Sequence, residues 1–294
     1  MPDQKTEPDV IEKEKSTIMK VANIADINEI VLNDRGWDSR VYSFGNGRYF
    51  FKFPRSKKIQ SRYKYEISAI KTLSELKTAV YIQNILWEHP ENAYFGYEGV
   101  RGEPVNTILN KLELAQKQKI GKALGNFLKQ LHSLKIEGAR NCDLVEESEQ
   151  IQNWFEKNKV AISDLLSDVE QKRLHNLVYR VWPSRLLDLG IESVLCHGDL
   201  HFENILLGHG GEVGIIDFGD IAYFDRSKDF LEISEDEDIF KSVLDIYGNQ
   251  DELLRQKIDL RKSMIQIINL GFHIGKNDKK NTALTIQRIR RDLN

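Results

Sequence analysis

The chain has 294 residues, 40% of them hydrophobic and 30% charged, which is enough for a sizeable core and is ordinary for a globular protein. Its 42 Lys and Arg residues nearly balance its 45 Asp and Glu residues, and the net charge of −3 argues against a general nucleic-acid-binding protein. The two cysteines, Cys142 and Cys196, are far apart, which excludes a disulfide framework and a cysteine-rich zinc site, so we expect two buried thiols.

The first 28 residues are rich in charge. Five acidic and four basic side chains fall within the first 20 residues, with little periodic apolar content, so we interpret residues 1–28 as a solvated lead-in or an exposed helix. Residues 1–7 lack the apolar segment of a secretory signal, and no apolar run approaches the roughly 18 residues that span a bilayer. We therefore expect a cytoplasmic protein that does not bind membranes.

Residues 29–97 alternate short strands with one helix. Gly45 and Gly47 tolerate positive φ, so Gly45-Asn46-Gly47 is predicted to be a hairpin turn, and Pro54 ends the strand that follows it. The predicted elements are a strand over 40–44, a strand over 49–53, a helix over 60–74, and strands near 81–87 and 93–100. This segment is expected to form a small β-rich lobe.

The pattern changes to long helices after a glycine-punctuated hinge at residues 98–104. Apolar residues at helical spacing predict helices over 120–131 and 151–181, the second of which ends before Pro183. Three short apolar strands, predicted at 194–196, 205–207 and 213–216, interrupt the helices. Residues 105–294 are thus expected to form a larger, mostly helical lobe, and the predicted fold class is α+β with two lobes.

Each of the three short strands borders on an oxygen-bearing side chain. Asp199 follows the first strand, Asn204 precedes the second and Asp217 follows the third. If the strands are neighbours, these side chains converge at one edge of a small sheet, and carboxylate and amide oxygens are the ligands that Mg²⁺ prefers. Each residue taken alone would be an ordinary turn former or helix cap. Together they predict a magnesium site.

The pattern His197-Gly198-Asp199 with Asn204, followed by Asp217-Phe218-Gly219, resembles the catalytic and metal-binding loops of aminoglycoside phosphotransferases. The resemblance extends over roughly residues 29–294 and implies a two-lobed protein-kinase-like fold. It also implies an antibiotic-resistance enzyme that transfers the γ-phosphoryl group of ATP or GTP to a hydroxyl of an aminoglycoside, with Mg²⁺ as its cofactor.

Roles are carried over from this family residue by residue. Asp199 resembles the catalytic base that accepts or orients the substrate hydroxyl, and Asn204 and Asp217 resemble the Mg²⁺ ligands. His197 and Asp229 resemble the residues that support the catalytic loop.

Lys52 and Glu66 are predicted to pair because of their surroundings. Glu66 falls within the apolar stripe of the 60–74 helix, where an unpaired charge would be costly, and Lys52 is the nearest basic residue in the preceding strand. A purely structural ion pair is the alternative. The resemblance implies that Lys52 contacts the α- and β-phosphates and that Glu66 holds it in position.

The other nucleotide contacts are also implied by the resemblance. The loop over residues 33–39 is expected to cover the phosphates, although it lacks the G-x-G-x-x-G of protein kinases, and Ser39 and backbone amides are its candidate ligands. Backbone groups of Glu98 and Val100 in the hinge are expected to contact the base. The sequence leaves both adenine and guanine open.

An excess of acidic residues follows the predicted metal ligand. Residues 217–238 include nine acidic side chains against two basic ones. The part of this segment from Glu235 to Asp238, which we call the acidic lip, would attract a polycation such as an aminoglycoside, and a solvated helix start is the alternative. The predicted substrate-binding residues are Asp220, Glu235, Asp236, Glu237 and Asp238.

Other functions fit the sequence less well than an aminoglycoside kinase does. A macrolide, choline or sugar-like acceptor is the nearest alternative, although a macrolide carries one amine and would not need so acidic a lip. Residues 95–104 resemble aminoglycoside kinases that modify the 2″-hydroxyl. A metallophosphoesterase would leave Lys52 and Glu66 without a role, and a non-catalytic pseudokinase is disfavoured because every expected catalytic position is filled.

The C-terminal stretch from Lys276 onward has six basic residues against two acidic ones. A solvated helix face is favoured over a nucleic-acid-binding tail. We expect a monomer whose partner is a small cationic substrate.

Overall fold

The computed structural model describes residues 6–34, 36, 38–76, 78–248 and 252–293. Residues 1–5 of the predicted lead-in lie outside the described residues, as do Arg35 and Trp37 of the predicted phosphate-covering loop. The elements up to the hinge are α1 (Pro8–Ala22), β1 (Val31–Asn33), β2 (Ser39–Phe44), β3 (Tyr49–Pro54), α2 (Lys57–Glu75), β4 (Tyr81–Ile82), β5 (Asn84–Glu88), β6 (Phe95–Glu98) and β7 (Glu103–Pro104).

The elements that follow the hinge are mostly helical. They are α3 (Val105–Ile108), α4 (Leu114–Leu131), α5 (Leu144–Ser163), α6 (Asp168–Asn176), α7 (Trp182–Asp188), β8 (Ser193–Cys196), β9 (Ile205–Leu207), β10 (Val213–Ile215), β11 (Ala222–Asp225), α8 (Glu237–Tyr247), α9 (Glu252–Gly275) and α10 (Lys279–Leu293). Short 3₁₀ turns at Phe218–Asp220, Arg226–Phe230 and Ile233–Glu235 connect β10, β11 and α8. No helix among the described residues is long and apolar enough to cross a membrane.

The N-terminal lobe is built on a five-stranded antiparallel sheet with the strand order β1-β2-β3-β6-β5. The β2–β3 hairpin turns at Gly45, Asn46 and Gly47, which all have positive φ, so the predicted turn is confirmed. Helix α2 begins at Lys57 because the Ser56 side chain caps it by accepting a hydrogen bond from the Ile59 N–H. The predicted α+β fold, with a small β-rich lobe and a larger helical lobe, is confirmed.

Helix α1 packs on this sheet and is not the solvated lead-in or exposed helix that we predicted. Ile18 is fully buried in a core with Tyr42 and Phe51 of the sheet. Glu14 is also buried, and its carboxylate accepts hydrogen bonds from the Arg40 guanidinium and the Tyr42 hydroxyl. The prediction was wrong because it counted the charges of this segment, whereas one of those charges has a buried partner in β2.

Helix α2 takes part in the hydrophobic cores of both lobes. Tyr63 and Ile67 pack with Phe95 of the N-terminal sheet. Ile70 and Leu73, further along the helix, belong to the main core of the C-terminal lobe. The helix that carries Glu66 is therefore held by both lobes at once.

The close packing of α4 against α8 organises the C-terminal lobe. A Cβ atom at Gly121 would lie 2.5 Å from the Ile239 carbonyl oxygen, and one at Gly125 would lie 2.7 Å from the Val243 carbonyl oxygen. The two helices approach this closely because glycine has no side chain at these positions. This contact fixes the start of α8, whose first turn includes Glu237 and Asp238 of the acidic lip.

The three short strands of the C-terminal lobe pair differently from the prediction. Strand β8 pairs with β11 in a two-stranded ribbon, whereas β9 and β10 belong to a four-stranded sheet with the order β4-β10-β9-β7. The single sheet expected for all three was wrong because β11 was not predicted and takes β8 as its partner. The predicted strand over 81–87 likewise divides into β4, which pairs with β10, and β5, which pairs with β6.

The predicted helix over 151–181 is also interrupted. Helix α5 ends at Ser163, α6 begins at Asp168, and a π-helical segment at Leu177–Val181 leads into α7. Pro183 lies in the first turn of α7 rather than after a helix end. The backbone stays helical through this junction, since Val181 has helical φ and ψ and the Trp182 N–H bonds to the Leu177 carbonyl, so the chain passes from the π-helical segment into α7 without a break.

Candidate active site

A buried lysine lies between two carboxylates where the lobes meet. The Lys52 Nζ on β3 is 2.7 Å from the Glu66 Oε1 on α2 and 3.2 Å from the Asp217 Oδ1. Burial alone would lower the pKa of Lys52, but the two carboxylates raise it well above its usual value, so the amine stays charged. The predicted pairing of Lys52 with Glu66 is confirmed, and Asp217 joins the pair from the other lobe.

Asp217 follows β10 in an unusual backbone conformation. Its φ of 63° lies in the left-handed region, which is uncommon for a residue with a side chain. The nearby ammonium of Lys52 outweighs burial and holds the pKa of Asp217 below its usual value. The group is therefore an ionised carboxylate in contact with Lys52.

Asp199 is held by two neighbours in its own loop. The Asn204 Nδ2 donates to the Asp199 backbone carbonyl at 2.9 Å and lies 3.2 Å from its Oδ2. The His201 Nε2 lies 3.1 Å from the Asp199 Oδ1. Burial would raise the pKa of Asp199, but the hydrogen bond and charge of His201 outweigh it and hold the pKa below its usual range. The carboxylate therefore stays ionised.

His201 was not singled out from the sequence. Its pairing with Asp199 raises the pKa of the imidazole above its usual value. The only signal available beforehand was its position two residues after Asp199, and a histidine in a loop has many possible roles.

The predicted convergence of Asp199, Asn204 and Asp217 is found, although they come from two different sheets. Asp199 leaves the β8–β11 ribbon, whereas Asn204 and Asp217 flank the β9–β10 hairpin. The Ile216 N–H donates to the Asn204 carbonyl at 3.0 Å, which places the residue before Asp217 against Asn204. Asn204 in turn contacts Asp199.

The donor set of Asn204 and Asp217 fits a hard divalent cation. The Asn204 amide nitrogen is committed to Asp199, which leaves the amide oxygen, the ligating end of the group, outside that contact. Asp217 supplies an ionised carboxylate. One amide oxygen and one carboxylate are donors that Mg²⁺ takes together with phosphate oxygens and water.

The buried carboxylate of Asp229 holds the loop that carries Asp199 in place. Asp229 accepts hydrogen bonds from the N–H groups of His197 at 2.8 Å and Gly198 at 2.9 Å. Its Oδ2 also lies 3.2 Å from the His132 Nε2 at the end of α4. Burial would raise the pKa of Asp229, but these contacts hold it below its usual value.

This cluster also brings the Cys196 thiol within ligand distance of His132 and Asp229. The Asp229 oxygens are already occupied by two backbone N–H groups, and the His132 Nδ1 lies 2.8 Å from the Tyr247 hydroxyl. We therefore interpret the cluster as a brace for the catalytic loop rather than a metal site. His132 was missed in the sequence because it lies 97 residues before Asp229.

The described part of the predicted phosphate-covering loop is tied to the lobe below it. The Ser39 Oγ is 2.7 Å from the Tyr63 hydroxyl in a buried hydrogen bond, so the Ser39 side chain is engaged with α2. The Arg55 guanidinium donates to the Gly36 carbonyl at 2.9 Å and to the Asp34 carbonyl at 3.0 Å. Arg55 was not predicted. Its hydrogen bonds hold Asp34 and Gly36 in place in a loop that lacks the glycines of protein kinases.

The side chains of two hinge residues, Glu98 and Val100, are engaged within the protein. The Glu98 carboxylate pairs with Arg48 at 2.8 Å. The Val100 side chain packs so closely on Gly214 of β10 that a Cβ there would lie 2.2 Å from it. Among the described residues, the N–H of Val100 has no hydrogen-bond partner. That N–H is available to a ligand.

The acidic lip is largely paired within the protein. The Asp236 carboxylate caps α8 by accepting from the Ile239 N–H at 3.1 Å and pairs with Lys117 at 2.7 Å. Asp238 lies 4.0 Å from the same lysine. Glu235 lies 3.4 Å from Lys262, and Glu237 occupies the first turn of α8. Capping and ion pairing therefore account for part of this charge, as the helix-start interpretation expects.

The charge of Asp199 acts on two other carboxylates, those of Asp220 and Glu232. Burial, followed by the charge of Asp199, raises the pKa of Asp220 above its usual value. Glu232, which was not predicted, accepts a hydrogen bond from the Phe202 N–H at 3.2 Å, and burial raises its pKa as well. Asp220 is the one predicted substrate residue that lies in this group.

A family model described as the phosphotransferase enzyme family (APH) matches residues 29–258. An aminoglycoside 3'-phosphotransferase of Escherichia coli is 28% identical over 143 residues, which is 48% of this chain and 51% of that protein. The chain thus spans about half the length of the curated relatives that it matches.

Solved structures resemble the whole chain. The GDP and kanamycin complex of APH(2″)-IIIa has a TM-score of 0.72 at 21% identity, covering 95% of this chain and 98% of that one. The streptomycin and ATP complex of APH(2″)-IIa has a TM-score of 0.68 at 18% identity, with 98% and 97% covered. The macrolide 2'-phosphotransferase MphH of Brachybacterium faecium is less similar, with a TM-score of 0.62 at 16% identity, with 95% and 97% covered. These likenesses establish the kinase-like fold, and because the family model extends from the N-terminal sheet into α9, the chain belongs to the phosphotransferase enzyme family.

Proposed function

We propose that this protein is a small-molecule kinase that transfers the γ-phosphoryl group of ATP or GTP to a hydroxyl of an aminoglycoside. The observation that carries the proposal is the contact of one charged amine, Lys52, with Glu66 of the N-terminal lobe and Asp217 of the C-terminal lobe. A structural ion pair needs only one partner, whereas an amine held at the meeting point of two lobes suits a phosphate chain lying between them.

The chain's own residues supply positioning and charge. Lys52 binds phosphate oxygens, and Glu66 fixes the amine in place. Asp199 orients the acceptor hydroxyl and takes up its proton, since its low pKa keeps it ionised. Asn204 and Asp217 would hold Mg²⁺, which when bound neutralises charge on the phosphates. His197 and Asp229 keep the Asp199 loop in place.

We assign nucleotide binding to residues 29–97 and the hinge at 98–104, and acceptor binding to residues 105–294. The free N–H of Val100 and the neighbouring backbone of Glu98 suit the edge of a base. The loop at residues 33–39 then lies over the phosphates and acts through its backbone, because the Ser39 hydroxyl is bonded to Tyr63.

An aminoglycoside is favoured as the acceptor because it is a polycation. Asp220 and Glu232 add carboxylates near Asp199. Glu235 and Glu237 of the acidic lip add further negative charge. The solved structures that resemble nearly the whole chain include APH(2″) enzymes, whereas the curated relatives named as 3'-phosphotransferases match about half of it, so we favour the 2″-hydroxyl over the 3'-hydroxyl. A macrolide, with its single amine, would make less use of these carboxylates.

A coupled turnover assay tests this function. The purified protein is supplied with Mg²⁺ and either ATP or GTP, and is offered a panel of aminoglycosides, macrolides and choline. We expect acceptor-dependent nucleotide consumption with at least one aminoglycoside, together with a phosphorylated product detected by mass spectrometry. Turnover with choline or macrolides alone would reassign the acceptor, and a protein without turnover on any acceptor would overturn the proposal.

A further inference from the structure

A single arginine on α2 lies between carboxylates of both lobes. The Arg62 Nη1 is 3.4 Å from the Asp38 Oδ2, which belongs to the segment expected to cover the phosphates. The same nitrogen is 3.8 Å from the Asp220 Oδ1, three residues after Asp217. The Arg62 side chain is 24% exposed, so it is partly shielded from solvent.

The position of Arg62 along the helix makes this contact informative. Arg62 and Glu66 are four residues apart and therefore lie on one face of α2. Glu66 reaches Asp217 through Lys52, and Arg62 reaches Asp220 directly. The adjacent residue Tyr63 binds Ser39 through its hydroxyl. The stretch of α2 from Arg62 to Glu66, about one and a half turns, therefore contacts both the phosphate-covering segment and the segment that begins at Asp217.

We propose that Arg62 is a positioning residue, which neutralises Asp38 and Asp220 and thereby allows a nucleoside triphosphate to lie beside them. The inference rests on the proposed function only in taking a nucleotide as the ligand of this cleft. A triphosphate brings several negative charges to a place already occupied by the carboxylates of Asp38, Asp217 and Asp220. Lys52 offsets Asp217, and among the described residues Arg62 is the cation in contact with the other two.

The charge balance around Asp220 supports this role. After burial, the charges that raise the pKa of Asp220 come from Asp199, Asp38 and Asp217, and Arg62 is the group that lowers it. Removing the guanidinium would therefore leave mutually repelling carboxylates in the path of the phosphates. A partly exposed ion pair contributes little to folding, so the effect on nucleotide binding is separable from an effect on stability.

The test compares Arg62→Gln, Asp38→Asn and the double variant with the unaltered protein. The primary measurement is the Kd for the magnesium complex of ATP or GTP by calorimetric titration, which does not depend on knowing the acceptor. We expect Arg62→Gln to raise Kd about tenfold, and to raise it by less than about threefold when Asp38 is already Asn. Arg62→Lys, which keeps the charge, is expected to recover most of the affinity. Lys71→Gln removes another ion pair of α2, with Glu88, and serves as the control that leaves Kd unchanged.

The outcomes separate this inference from the proposed function. An Arg62→Gln protein with unchanged Kd would overturn the role of Arg62 while leaving the kinase assignment intact. Equal effects of Arg62→Gln in both backgrounds would also overturn it, because charge compensation of Asp38 requires the two effects to be coupled. A protein that binds nucleotide with this coupling but phosphorylates no acceptor would refute the proposed function alone. Absence of any nucleotide binding would overturn both.

Discussion

At the scale of single residues, the site is a set of charged groups whose ionisation is fixed by their contacts. Lys52 stays charged because two carboxylates touch it, and Asp199 stays ionised because His201 does. Burial works against the charged form in both cases, so each contact is needed to keep the group in the state that the proposed phosphoryl transfer requires.

The sharpest test at this scale is Asp199→Asn. The amide keeps the size of the side chain but accepts no proton, so we expect kcat to fall by about 10²–10⁴-fold. The Kd for nucleotide should change little, because the role proposed for Asp199 is to orient the acceptor. Turnover is measured by the coupled assay and nucleotide affinity by titration. Retention of full turnover would show that another group orients the acceptor.

Single residues also show where sequence reasoning reaches its limit. The pairing of Lys52 with Glu66 was predictable because a charge within an apolar stripe requires a partner, and the preceding strand offers one. Arg62 was not predictable, because an arginine with partners far away in the chain has the same pattern as an exposed surface arginine. Ser39 was proposed for its hydroxyl, and its hydrogen bond to Tyr63 depends on how α2 packs.

At the scale of elements, a buried ion pair joins the end of β11 to α9. Asp225, at the end of β11, contacts the Lys257 Nζ of α9 at 2.9 Å and accepts from the Glu192 N–H at 2.9 Å. Burial would raise the pKa of Asp225, but the Ser227 hydroxyl, the Glu192 N–H and Lys257 together hold it below its usual value. The ionised form is therefore the one that stabilises the fold.

Asp225→Asn is expected to lower the free energy of unfolding by about 3 kcal/mol at neutral pH, because Lys257 is left buried without its counter-charge. A carboxyl with a lowered folded pKa contributes stability that is present above its unfolded pKa and is lost as the pH falls through the folded value. The difference between variant and unaltered protein should therefore shrink below about pH 4. Urea unfolding at several pH values measures this, and the exposed Asp245→Asn is the control. A difference that is constant with pH would contradict the ionised pair.

The contact of α4 with α8 gives a second prediction at this scale. Gly121→Ala would place a Cβ 2.5 Å from a backbone carbonyl oxygen, which forces the helices apart. We expect a loss of about 2 kcal/mol or more in unfolding free energy. Gly275→Ala, where no atom lies within 4 Å, is the matched control and should be close to neutral. A thermally unchanged Gly121→Ala protein would mean that the helices tolerate a wider spacing.

The elements were predicted better than their partners. Strands 40–44 and 49–53 and their turn follow from alternation and glycine, which are local properties. The pairing of β8 with β11, and of the two-residue strand β4 with β10, depends on segments more than 20 residues apart and too short to have a periodic pattern. Helix α1 was misjudged for the same reason, since its burial depends on Arg40 and Tyr42.

At the scale of the whole molecule, the negative charge of the acidic lip affects which acceptors are attracted to the site. Asp236 and Asp238 share Lys117, whereas Glu235 lies 3.4 Å from Lys262 and Glu237 lies in the first turn of α8. The part of the acidic lip that can act on a ligand at a distance is therefore smaller than its sequence suggests.

Glu235→Gln with Glu237→Gln tests this long-range effect without removing the α8 cap. We expect KM for an aminoglycoside to rise about threefold at low ionic strength and by less at high salt, because screening shortens the range of unpaired charges. Glu149→Gln, an exposed carboxylate on α5, is the control. A KM that is the same at all salt concentrations in both proteins would remove the lip from substrate recognition.

The path of the chain between the two sheets restricts how the molecule can open. After α2 the chain crosses to the C-terminal sheet, where β4 lies beside β10. It returns to the N-terminal sheet to form β5 and β6, and then crosses again to form β7 beside β9. Two lobes joined by three crossings, with α2 packed in the cores of both, are expected to shift relative to each other less freely than two lobes joined by a single tether.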